Sequence, residues 1–203
     1  MQREEVDLEV LLEAEGLAMR PGPRPFIRDD VLVTLGNAVN ACRKVRLHYR
    51  GRDTKKLSRQ IVCPYGFLYG NRHYLVAYSM GMRGYRLYSL SNIERAEVTE
   101  WPFTRRDDFS LEEYAEHSFG VFQEEPFDVV WKFTPAVAAD AREFLFHPSQ
   151  SMEDMPDGSL LVRFRAGGAQ EMSWHLYTWG DAVEVMEPKD FWARLQTLNE
   201  VPS

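Results

Sequence analysis

Between Arg59 and Phe103 the chain reads RQIVCPYGFLYGNRHYLVAYSMGMRGYRLYSLSNIERAEVTEWPF. No stretch restricts the fold more. Cys63-Pro64-Tyr65-Gly66-Phe67-Leu68-Tyr69 is an apolar, aromatic run, and Gly70-Asn71-Arg72 turns it back. His73 to Tyr78 is a second run, 81–84 a second turn, and Tyr85 to Leu90 a third run. Aromatic and β-branched segments cut by Gly and Asn turns form antiparallel meanders. A meander of this size makes a small barrel or sheet, not the core of an α/β enzyme.

The flanks extend the pattern. Asp29-Asp30 offers an N-cap to a helix over 31–42, whose apolar positions Val31, Leu32, Leu35, Ala38, Val39 and Cys42 make one buried face. Strands are expected at 44–50, 59–70, 73–79, 84–90 and 93–99, with Pro102 marking an edge. Upstream, 6–16 reads as a short helix and the proline-rich 20–25 as a linker. Beyond a connector with a Ser110-capped helix at 111–118, a second pattern begins. It runs strand 127–134, helix 135–145 opened by Pro135, and strands 149–155 and 159–166 around Asp157-Gly158. Helix 169–179, strand 182–186 and helix 188–199 complete it. The order β-α-β-β-α-β-α is ferredoxin-like with one added helix. The units are therefore 1–28, 29–105, 106–126 and 127–203, and the fold class is α+β.

Charge divides the chain at the same place. Lys and Arg number 18 against 12 Asp and Glu up to Arg106, and 6 against 19 beyond it, within an overall net charge of −7. The basic residues crowd between Arg43 and Arg59, a patch suited to phosphate or another anion; a solvated hairpin loop would give the same composition. Cys42 and Cys63 have no metal or redox spacing, which points to buried, inert thiols and a cytoplasmic location. The five histidines are scattered, no nucleotide-binding or hydrolase motif is present, and no apolar run spans a bilayer. Neither an enzyme, a metal centre nor a cofactor is expected.

The meander resembles the WYL domain of bacterial transcription regulators, a family named for a Trp-Tyr-Leu triplet. The triplet position holds His73-Tyr74-Leu75. Arg59-Gln60-Ile61-Val62-Cys63-Pro64 resembles the strand before it, and Tyr85 to Ile93 resembles the family's "aromatic-Arg-x-aromatic-x-Leu-x-x-Ile" strand, with Asn92 where an arginine is usual. Val45-Arg46-Leu47-His48-Tyr49-Arg50 resembles its opening strand. The resemblance covers roughly 30–105 and implies an Sm-like barrel. The second half resembles the WCX extension that commonly follows WYL domains, carried by Trp179-Gly180 and by Val183 to Pro188.

Arginine offers a planar donor fork to phosphate, and neighbouring aromatics offer stacking platforms. A barrel displaying Arg59, Tyr74 and Arg86, with Arg83 and His73 nearby, would make an anion or nucleotide pocket. The plainer alternative makes Tyr74 and Tyr88 core aromatics under snorkelling arginines. The resemblance implies ligand sensing through Tyr49, Arg59, Tyr74 and Arg86. It implies the effector-sensing, homodimerising portion of a regulator that binds a nucleotide or single-stranded nucleic acid. Duplex DNA would be met only through a helix-turn-helix, for which the residues before the barrel are too few. The alternative is a stand-alone nucleic-acid-binding accessory protein, for instance in phage defence.

Overall fold

The computed structural model describes residues 26–51, 55–70 and 72–200. The expected helix at 6–16 and linker at 20–25 lie outside the described residues. Among the described residues the chain is mixed α+β, with five α-helices and two antiparallel sheets.

Helix α1 (Asp29–Asn40) buries Val31, Leu35 and Ala38, the stripe that three- and four-residue spacing dictates. Its N-cap is Arg28 rather than an aspartate. Asp29 and Asp30 sit inside the first turn, where their charges still suit the positive end of the helix. Strands β1 (Arg43–Arg50), β2 (Leu57–Tyr69), β3 (His73–Ser79), β4 (Gly84–Ser89) and β5 (Ile93–Pro102) follow. They hydrogen-bond antiparallel in the order β4-β3-β2-β1-β5. No β4–β5 ladder occurs among the described residues, so the sheet is open where the sequence suggests a closed barrel.

The sheet is nevertheless strongly curled. Tyr88 on β4 and Tyr49 on β1 have ring centres 5.3 Å apart. Three flat inter-strand steps would hold them about 14 Å apart. The curl wraps around Val45, Leu47, Val62, Leu75 and Ile93, with α1 packed against the same core. Cys63 is buried as expected, but Cys42 is only half-buried, in the turn that leaves α1.

The connector is structured. Helix α2 (Leu111–Glu116) is capped by Ser110, whose hydroxyl accepts the Glu113 N–H at 3.2 Å. Arg105 donates to the carbonyl of Tyr65 at 3.0 Å and to that of Val39, near the end of α1, at 3.1 Å.

Strands β6 (Phe127–Phe133), β7 (Ser151–Asp154), β8 (Leu160–Ala166) and β9 (Val183–Glu187) form the second sheet, ordered β7-β8-β6-β9. Helices α3 (Ala138–Arg142), α4 (Ala169–Tyr177) and α5 (Phe191–Glu200) complete the unit. Trp131 is fully buried, with the rings of Phe119, Phe146 and Phe164 at 4.9 to 5.6 Å. Helix α3 is shorter than the expected 135–145. Residues 135–137 form a turn, and the chain leaves the helix early so that Phe146 can stack on Phe133 at 5.4 Å. Helix α5 likewise starts at Phe191, not at Pro188.

Candidate ligand-binding face of the first sheet

Strand register sorts the predicted site residues by face, because successive side chains alternate. Gln60 pairs with Leu47, Ser58 with Tyr49, Tyr88 with Leu75 and Arg86 with Ala77. All of these lie on the inward face that also carries the core. At its open end the inward face turns polar. Tyr88 donates its hydroxyl to Gln60 Oε1 at 2.9 Å, Gln60 Nε2 donates to Ser58 Oγ at 3.1 Å, and Ser58 donates to the Tyr49 carbonyl at 3.2 Å. Each polar side chain is thereby satisfied, as burial requires. Burial pushes the Tyr88 phenol upward, and the Arg86 charge opposes the rise.

Arg86 is exposed and makes no hydrogen bond or ion pair among the described residues. It stands two residues from Tyr88, so its guanidinium shares the face with the polar chain. Arg83 lies in the β3–β4 turn at a φ of 53°, also exposed, at the same end of the hairpin. The half-buried Tyr49 ring closes the group from β1.

The other candidates fall elsewhere. Arg59 pairs with His48 and points to the opposite face, exposed and without an ion pair among the described residues. Tyr74 is on that opposite face too, but it is 7% exposed. It is packed with Leu68, Val76 and Val121 beneath the connector, and its ring lies 6.4 Å from Phe122. It is therefore a core aromatic, as the plainer sequence reading has it. His73 is half-buried beside Tyr69, at 4.9 Å, and its Nδ1 is buried without a hydrogen-bond partner among the described residues. Four residues of β3 separate it from Ala77, opposite Arg86, about 13 Å along the strand. The structure sets Tyr49 and Arg86 on the inward face on either side of Tyr88, with Arg83 in the adjoining turn, and leaves Arg59, His73 and Tyr74 apart.

Two cations of the expected basic patch, Arg46 and Arg50, are neutralised. On the outward face Glu97 meets Arg46 at 3.1 Å and Arg95 at 3.0 Å, and Glu94 meets Arg50. The Arg46 guanidinium holds the Glu97 carboxyl below the usual carboxylate range. Charge counting along the sequence misses this, because the compensating glutamates are on β5, half a domain away. Gln60 and Ser58 were also missed. Their one signal is alternation with Arg59 on β2, which becomes informative only once the inward face is known.

Elsewhere, a cleft of about 620 Å³ lies between connector and second unit, lined by Glu113, Glu116, Glu124, His147 and Arg165 among others. Among the described residues no group of three or more His, Cys, Asp or Glu could hold a metal ion, and no helix is long and apolar enough to cross a membrane.

The family model of the WYL domain matches residues 30–98, and that of the WCX domain matches 125–198. The chain carries a WYL domain followed by a WCX domain. No curated protein sequence matches this WYL–WCX chain. The solved structures that resemble it include two that each cover over four-fifths of it. The first is proteasome accessory factor B/C (PafBC) of Arthrobacter aurescens, at 20% identity and a TM-score of 0.38, covering 82% of this chain and 26% of that one. The second is described as a CRISPR Cas-related protein, at 12% identity and a TM-score of 0.52, covering 84% and 49%. The WYL–WCX chain thus spans less than half the length of either. The second likeness supports the fold alone.

Proposed function

We propose that this WYL–WCX chain is the effector-sensing portion of a transcription regulator, taking an anionic ligand at the open end of the first sheet. The ligand class is a nucleotide or a single-stranded nucleic acid. The observation that carries the reading is Arg86: an exposed guanidinium with no hydrogen bond or ion pair among the described residues, beside a satisfied polar chain and the half-buried Tyr49 ring. An arginine without a carboxylate partner is available for phosphate, and the aromatic ring offers a base something to stack on. Arg83 adds a second cation at the rim. Arg59 serves only a ligand long enough to pass around the sheet edge. In this reading the first unit, 29–105, is an Sm-like barrel left open between β4 and β5. The second, 127–203, is ferredoxin-like and homodimerises. The protein works in the cytoplasm without catalysis.

Titration of short single-stranded DNA, RNA oligomers and mononucleotides against wild type, Arg86→Ala and Arg59→Ala tests this. Arg86→Ala is expected to weaken binding by on the order of tenfold or more, as loss of a charged hydrogen bond does. Arg59→Ala should change mononucleotide binding little. Wild-type affinity in Arg86→Ala would remove the pocket from consideration.

A further inference from the structure

The link between the two units is held by a pair of carboxylates in reciprocal positions. Glu171, in the first turn of α4, turns Oε2 toward the connector and accepts the N–H groups of Val121 at 2.8 Å and Phe122 at 3.0 Å. Glu124, on the connector, turns its Oε2 the other way and accepts the N–H groups of Gly168 at 3.1 Å and Ala169 at 3.0 Å, at the start of α4. Each carboxylate thus satisfies two donors on the segment that carries the other. The backbone between them is joined as well: Phe119 N–H donates to Gly167 O at 3.0 Å, and Gly167 N–H to His117 O at 2.8 Å.

The sequence is shaped around this clasp. A Cβ at Gly120 would run into the Glu171 carboxylate. Gly168 has a φ of +90°, which a side chain would strain. Burial raises the Glu171 pKa, the two N–H donors oppose the rise, and the Glu124 charge adds to it.

The segment so held reaches the first sheet directly. Val121 is buried with Leu68, Tyr74 and Val76. The Phe122 ring lies 6.4 Å from Tyr74 on one side and 6.3 Å from Trp174 of α4 on the other. A continuous packed and hydrogen-bonded route therefore runs from β3 through Phe122 to the start of α4.

We propose that Glu171 and Glu124 form a reciprocal latch, and that Tyr74 is the first sheet's grip on it. Tyr74 acts as a positioning residue, and displacement at β3 loosens the N-terminus of α4. The latch does not depend on what the sensing face binds.

Spatial continuity alone does not establish coupling, so the test reads the far side of each bond. Amide hydrogen exchange is followed at Val121, Phe122, Gly168 and Ala169 in the full chain. Glu171→Ala should speed exchange at Val121 and Phe122 by on the order of tenfold. A latch further requires faster exchange at Gly168 and Ala169, which Glu171 does not touch. Glu124→Ala should show the mirror image, and Tyr74→Leu should speed exchange at Gly168 and Ala169 as well. Glu171→Gln should restore protection, because one oxygen takes both N–H groups. Should Glu171→Ala not fold, Glu171→Asp, one methylene shorter, is read the same way. Effects confined to the two amides each carboxylate touches would overturn the latch. An unmoved α4 in Tyr74→Leu would remove Tyr74 from it. Loss of ligand binding in Arg86→Ala bears on the sensing face and leaves the latch untouched.

Discussion

His175 shows what a single half-buried side chain imposes. It lies among the rings of Phe119, Trp131, Phe146 and Trp179, and Trp179 donates its indole N–H to His175 Nε2 at 3.1 Å. An indole can only donate, so that nitrogen must be unprotonated. Burial correspondingly lowers the His175 pKa. The unfolded chain, with an ordinary value of about 6.5, takes up the proton before the folded chain does. Stability from the neutral ring is therefore complete above about pH 6.5 and declines as pH falls below it. Urea unfolding at pH 7.5, 6.5 and 5.5 should show this decline. His175→Gln keeps an acceptor but cannot titrate, and should flatten that part of the profile; an unchanged profile would show that another group is responsible. At this scale the sequence was partly legible. Tyr49 and Arg86, both named through the family resemblance, lie on the same inward face, on either side of Tyr88. Tyr74 was misplaced because what buries it is a connector more than thirty residues downstream, and no local pattern reports a cover that distant.

The elements were legible wherever one periodicity ruled. The stripe Val31, Leu35, Ala38 predicts both the helix and its buried face, and the meander's strands differ from expectation only at their ends. Leu35 is wholly buried against the first sheet. Leu35→Ala should cost about 2–5 kcal/mol, lost transfer energy plus a cavity. Urea midpoints measure it, and a loss under 1 kcal/mol would mean that α1 is held by something other than this face. Helix α3 was overestimated for the opposite reason. Pro135 does suit a helix start, but the core needs Phe146 beneath Phe133, and tertiary packing ended the helix before local propensity would. The missing β4–β5 ladder belongs here too, since closure is a property of a whole sheet and no single strand carries it.

For the whole molecule, the two family matches end and begin at 98 and 125, as though the intervening residues merely joined two finished parts. The packing says otherwise. Arg105 supplies donors to carbonyls of α1 and β2, and Phe109, Leu111, Tyr114 and Val121 roof the outward face over Leu68, Tyr74 and Val76. A fragment of residues 26–98 would expose that apolar surface to water and leave the Val39 and Tyr65 carbonyls without the arginine. It should aggregate or unfold at lower urea than a fragment of 26–124, which keeps both. Equal midpoints would show that the roof adds nothing to the first unit.

Arg105 thereby fixes where the first unit can be cut. One guanidinium, placed after the last strand, holds the end of the first helix and the middle of the longest strand. Recombination that exchanged the second unit for another would have to break the chain downstream of the roof, near Phe122, and carry the connector along as baggage of the first. The boundary of inheritance and the boundary of similarity are then different places in the same chain.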